Sequence, residues 1–115
     1  MMRNDRLLAT RPTISVVIPN FNYASFVGAA IDSALNLDWP AVEVIVVDDG
    51  STDSSRDVLA GYGGRIVTIL QANAGQLVAC NKGFAASRGD IVIFLDSDDL
   101  LHPPHRWCAS ALAPC

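Results

Sequence analysis

Three aspartates fall within four positions of the stretch "FLDSDDLL", Phe94 to Leu101, and two more stand side by side in "VEVIVVDDGSTD". Two unit charges roughly 4 Å apart repel by about 4 kcal/mol at an effective dielectric near 20, so the cluster needs compensation. Carboxylate oxygens of this kind suit Mg²⁺ or Mn²⁺. A cation held there would bridge to phosphate oxygens and could stabilise a departing diphosphate as a Lewis acid. The plainer reading of an isolated D-x-D is a solvated acidic loop, with Asp99 capping a helix, and only the surrounding elements can decide between them.

Those elements alternate. "ISVVI", Ile14 to Ile18, is a short β-branched run stopped by Pro19, and it reads as a buried strand. From Tyr23 to Asn36 the residues Phe26, Val27, Ala30, Ile31, Ala34 and Leu35 recur at helical spacing, with Asn22 or Ser25 placed to cap the start. "VEVIVV", Val42 to Val47, is a second strand; Ser51 or Thr52 can cap a helix that runs to about Leu59, and "GYGG" breaks it. "RIVTIL", Arg65 to Leu70, is a third strand. Gln76 to Ser87 then carries Leu77, Val78, Asn81, Phe84 and Ala85 on one helical face before Gly89, and "IVIFL", Ile91 to Leu95, is the fourth strand.

Four near-continuous apolar strands separated by helices predict a parallel sheet covered on both faces, an α/β doubly wound arrangement. Right-handed crossovers restrict the topology; the spatial order expected is 3-2-1-4, the common opening of such sheets, with a crevice between the first and fourth strands at their carboxyl ends. Five of the twelve acidic residues then stand on that rim: Asp48, Asp49, Asp96, Asp98 and Asp99. An extended backbone beyond Leu95 would send Asp96 and Asp98 to one side and Ser97 to the other, so two carboxylates could share one ion.

Composition narrows the partners. The chain has 115 residues, half of them hydrophobic and 17% charged, which matches one compact domain or part of one. A net charge of −4 with no basic patch argues against a nucleic-acid backbone. Cys80, Cys108 and Cys115 have neither metal-site spacing nor the density of a disulfide scaffold, so a reducing cytoplasm is expected, with the cytoplasmic face of a membrane as a further possibility. Met1 to Thr13 lacks the pattern of a signal peptide, and no apolar run approaches the roughly 18 residues of a membrane span.

The segments "ISVVIPNFNYASFVGAAIDSAL", "VEVIVVDDGSTD" and "NAGQLVACNKGFAASRGDIVIFLDSDDLLHP" occur in an order and spacing that resembles glycosyltransferase family 2, inverting enzymes of GT-A fold, from about Thr13 to Pro103. The resemblance implies a nucleotide-diphosphate sugar donor, a uridine one by analogy with the family, a divalent Mn²⁺ or Mg²⁺, and an acceptor of unknown kind. It places Pro19 and Phe21 against the base and gives Asp49 the hydrogen bond to it. It sets Asn73, Gly75 and Asn81 along the donor pocket, and Asp96, Ser97 and Asp98 at the D-x-D. Asp98 becomes the principal metal ligand, supported by Asp96 or Asp99.

Two departures accompany it. Ala79 and Cys80 stand where many relatives carry an arginine before the Asn of "NKG", which removes a guanidinium contact to the donor. The family's catalytic base lies beyond the D-x-D and is expected past Cys115, so these residues alone should show at most weak transfer. The implied organisation is a flexible segment over 1–12, a nucleotide-sugar-binding part over 13–103 and a truncated tail over 104–115, with His102 and His105 as surface residues. A second copy could cover apolar surface left exposed. The alternatives are an inactive nucleotide-binding fragment and a Mg²⁺-binding receiver-like module, although a receiver needs its acid pair after the first strand and a lysine after the last.

Overall fold

The computed structural model describes residues 12–101, and the expectations for 1–11 and 102–115, including His102 and His105, lie outside them. Strand β1 (Ile14–Asn20) leads to helix α1 (Ala24–Leu35), β2 (Val42–Asp49), helix α2 (Ser55–Ala60), a 3₁₀ turn (Gly63–Arg65), β3 (Val67–Gln71), helix α3 (Gln76–Ala86) and β4 (Ile91–Phe94). All pairings are parallel, as the alternation of elements predicts, and the order is the expected β3-β2-β1-β4.

Strand parity divides the core. Ile14, Val16 and Ile18 of β1, with Val44 and Val46 of β2, pack against Val27, Ala30, Ile31 and Ala34 of α1 and Leu59 of α2. Ile45 and Val47 point to the opposite face and pack on Ala79 of α3. Because successive side chains alternate across a strand, Asp48 emerges on the α1/α2 face and Asp49 on the α3 face.

Two boundaries differ from expectation for a common reason. Pro19 does not end β1: Pro19 pairs with Val47 and Asn20 with Asp48. Leu95 N donates to Val17 O at 2.9 Å, so the backbone groups of residue 19, two positions on, face that same β4 side, where the strand has already ended at Phe94. A missing N–H is tolerated where no neighbour needs it. Likewise β2 runs to Asp49 rather than Val47, which puts both aspartates inside the strand.

Helix α3 corrects the sequence reading most. The expected apolar face is turned away from the sheet, with Leu77 75% and Phe84 57% exposed, while Ala79 and Gly83 are the buried positions. The helix lies so close to β1 and β2 that a Cβ on Gly83 would run into Val17 Cγ1 and come within 3.3 Å of Val47 Cγ2. Large side chains cannot enter such a contact, so the smallest residues face the core.

The loops at the carboxyl end of the sheet are tied by buried polar groups. Asp48 has no exposed surface. Its Oδ1 accepts from Asn20 Nδ2 at 3.0 Å and Ser51 Oγ at 2.6 Å, and its Oδ2 from Ser51 N at 3.0 Å and Arg56 Nε at 3.1 Å. Burial opposes ionisation, yet the donors from Ser51, Asn20 and Arg56 outweigh it and hold the carboxyl below its ordinary value. Helix α1 has no side-chain cap from Asn22 or Ser25; instead Asp53 Oδ2 accepts from Ala24 N at 3.0 Å.

Two outcomes follow. Gly83→Ala should destabilise the fold by about 1–3 kcal/mol in urea titration, the usual cost of overpacking, although alanine is the better helix former. A neutral or stabilising effect would show that α3 can lift from the sheet at no cost. The lowered Asp48 carboxyl contributes stability that is fully present above the ordinary carboxylate range and lost as pH falls through it toward the folded value. Asp48→Asn should therefore flatten the fall in unfolding free energy as pH drops below the ordinary carboxylate range, and lower stability at pH 7 by about 2 kcal/mol. An unchanged acid slope would assign the pH dependence to other carboxylates.

Candidate donor-binding cleft

The carboxyl ends of the strands enclose a cleft of about 640 Å³, lined by Pro19, Asn20, Phe21, Asn22, Tyr23, Asp49, Asn73, Gly75, Gln76, Ala79, Asp96, Ser97 and Asp98. It opens where β1 meets β4, at the switch point of the strand order. Of the residues singled out in the sequence, Pro19, Phe21, Asp49, Asn73, Gly75, Asp96, Ser97 and Asp98 come together here. Asn81 is exposed on α3 and Asp99 is exposed at the end of the 96–99 turn, both outside this lining.

One wall is aromatic. Phe21 and Tyr23 flank Asn22 and are 42% and 43% exposed, and Tyr23 meets Phe26 edge to face at 6.1 Å between centroids. An exposed ring that lines a cleft offers a π face to a planar ligand. Tyr23 escaped the sequence reading because it was assigned to the start of the helix; its spacing of two from Phe21 was the available signal.

The opposite wall is built on Asp49, which is 4% exposed. Asp49 Oδ1 accepts from Gln71 Nε2 at 2.8 Å and Ala74 N at 2.7 Å; Oδ2 accepts from Gly75 N at 3.0 Å and Asn73 Nδ2 at 3.3 Å. Burial again opposes ionisation, and the donors from Gln71, Ala74 and Gly75 prevail, so the carboxyl lies below its ordinary value. The carboxylate thus folds the 73–75 segment ahead of α3, whose N-cap position, Gly75, has no side chain to cap it. Gly50 permits the approach: with φ at 77°, its Cβ position would lie 2.6 Å from Asn73 N.

The floor is the acidic turn. The backbone does not continue extended after Leu95; Asp99 N donates to Asp96 O at 3.0 Å and closes a turn. The turn leaves Ser97 buried with Asp96 and Asp98 exposed in the cleft. Gln76 Nε2 reaches Asp96 Oδ1 at 3.2 Å. Cys80 is half-buried, and burial, followed by the charge of Asp96, raises its thiol pKa, so it is poorly suited to be a nucleophile.

Among the described residues no three His, Cys, Asp or Glu side chains gather to hold a metal by themselves. The two exposed carboxylates of the acidic turn, Asp96 and Asp98, nevertheless fit Mg²⁺ or Mn²⁺, which commonly take one or two protein carboxylates and complete their shell with phosphate oxygens and water.

The sequence profile of "Glycosyl transferase family 2" matches residues 15–111. An uncharacterised glycosyltransferase of Nostoc is 48% identical over 94 residues, covering 78% of this chain and 29% of that protein. The crystal structure of S. aureus TarS 1-349 in complex with UDP-GlcNAc superposes with a TM-score of 0.72 at 27% identity, over 81% of this chain and 28% of that one. The mannosyltransferase PcManGT from Pyrobaculum calidifontis, in complex with GDP-Man and Mn²⁺, gives 0.68 at 26% identity, over 86% and 34%. The chain therefore spans about a third or less of the length of these proteins. The profile match over most of the chain, on a parallel sheet shared with such enzymes, establishes that the chain belongs to glycosyl transferase family 2.

Proposed function

We propose that this chain is the donor-binding part of an inverting glycosyltransferase that takes a sugar linked to uridine diphosphate, with a divalent cation, and passes it to an acceptor bound elsewhere in the protein. The observation that carries the reading is the convergence of an aromatic wall, a polar wall and two acidic side chains on one cleft at the ends of β1, β2 and β4. Relatives of known structure hold UDP-GlcNAc in one case and GDP-Man with Mn²⁺ in another, which supports a sugar nucleotide as the ligand class.

In this reading Pro19 and Phe21 flank the base, and Asn73 and Gly75 line the far side of the nucleoside. Asp49 serves the base through the segment it folds, since its oxygens already accept four protein donors. Asp98, with Asp96 beside it and Asp99 nearby, would hold Mn²⁺ or Mg²⁺, and Ser97, buried in the same turn, faces the donor with them. The cation, when bound, offsets the diphosphate charge and favours its departure. Asn81 stands too far round α3 to line the cleft, so its part in donor binding would require a different seating of the donor.

Isothermal titration of UDP with and without Mn²⁺ tests this. Binding is expected to depend on Mn²⁺, and Asp98→Asn should weaken it at least tenfold, about 1.4 kcal/mol. Equal affinity in the variant would remove Asp98 from the site, and no UDP binding to the unaltered protein would overturn the donor reading.

A further inference from the structure

Two loops meet beneath the aromatic wall, and Ser51 is their junction. Its hydroxyl donates to Asp48 Oδ1 at 2.6 Å while accepting from Asn22 N at 2.9 Å and, more weakly, from Asn20 Nδ2 at 3.4 Å. Asn22 returns the tie: its Oδ1 accepts from Thr52 N at 2.7 Å and Asp53 N at 3.2 Å. Asn22 adopts φ 58°, in the left-handed region that an L-residue enters at a cost. These bonds fix that conformation, and it is this backbone kink that sets Phe21 and Tyr23 on either side of Asn22.

The two rings are only about half covered; Tyr23 has one edge-to-face neighbour, Phe26, and its carbonyl accepts from Phe26 N and Val27 N at 2.9 Å. The polar bonds of the residue between them fix the turn of backbone from which both rings project. Ser51 does not line the cleft, and Asp48 lies on the other face of the sheet from Asp49. From this geometry we infer that Ser51, acting with Asn22 and the buried Asp48 carboxylate, is a positioning residue that sets the aromatic wall and thereby the cleft's preference for a nucleoside over a bare diphosphate. The inference rests on the proposed sugar-nucleotide reading, and it adds the residues of the β2–α2 loop to the determinants of donor binding.

The wall and the acidic turn belong to different loops, which makes the inference testable. In Ser51→Ala the affinity for UDP in the presence of Mn²⁺ should fall about tenfold, within the range that base stacking on an aromatic contributes, while affinity for inorganic pyrophosphate with Mn²⁺ stays within about twofold. Ser51→Thr, which keeps the hydroxyl, should restore UDP binding. Asn22→Gly, which keeps access to the left-handed backbone but removes the acceptor, should behave like Ser51→Ala. Amide hydrogen exchange locates the change: residues 21–24 should lose protection while 14–18 and 44–47 keep theirs. Equal loss of UDP and pyrophosphate binding, or unchanged UDP affinity despite faster exchange at 21–24, would overturn the inference alone. Loss of protection throughout the sheet would also overturn it, by showing that Ser51 supports the fold rather than the wall. Failure of the unaltered protein to bind UDP would overturn the donor reading and this inference with it.

Discussion

A carboxylate shut away from water must be met by donors, and at Asp48 the donors come from three separate segments: Asn20 at the end of β1, Ser51 in the following turn and Arg56 in α2. A buried charge without such partners is costly, so the turn closes around it rather than fraying into solvent. The consequence extends to the cleft. Ser51 and Asn22 carry the tie into the β1–α1 loop, and Asp53 supplies the acceptor that the first turn of α1 lacks. The loops at the ligand-facing end of the sheet are thereby held by polar bonds, where the sheet below is held by apolar packing.

The neighbouring Asp49 makes the same kind of demand on the opposite face. Its four donors come from Gln71, Asn73, Ala74 and Gly75, so one carboxylate organises the segment leading into α3. Two adjacent aspartates in one strand thus build two different walls, because strand parity sends them to opposite sides. Both are kept ionised by the donors around them despite their burial. The acidic turn at 96–99 differs in kind: Asp96, Asp98 and Asp99 stay exposed, and Asp96 and Asp98 line the cleft. Family membership also disfavours the receiver-like alternative, which required an acid pair after the first strand.

Helix α3 shows where pattern reading failed and why. Periodicity picks out the largest apolar residues, here Leu77, Val78 and Phe84, as the buried stripe. The sheet is crowded by the methyls of Val17 and Val47 at the point of contact, so the helix approaches through Ala79 and Gly83. A stripe of small residues is a weaker signal than a stripe of leucines, yet it marks the closer packing. The strand endings failed for a related reason, since Pro19 and the aspartates read as strand breakers until the absence of a neighbour on one side, and a full set of donors on the other, is known.

Hydrophobic runs, helix periods and the alternation of strand and helix are local rules, and from the sequence alone they carry the class of fold and the gathering of Pro19, Phe21, Asp49, Asp96, Ser97 and Asp98 at one end of the sheet. The strand order rested on the common opening of such sheets, and Asn73 joined the site only through the family resemblance. The three-dimensional packing set which partners each polar residue there meets. It filled Asp49 with protein donors, left Asn81 outside the cleft, folded 96–99 into a turn and made Ser51 the link between two loops. Hydrogen bonds between residues some 30 positions apart depend on distance and direction in space, and no spacing along the chain encodes either.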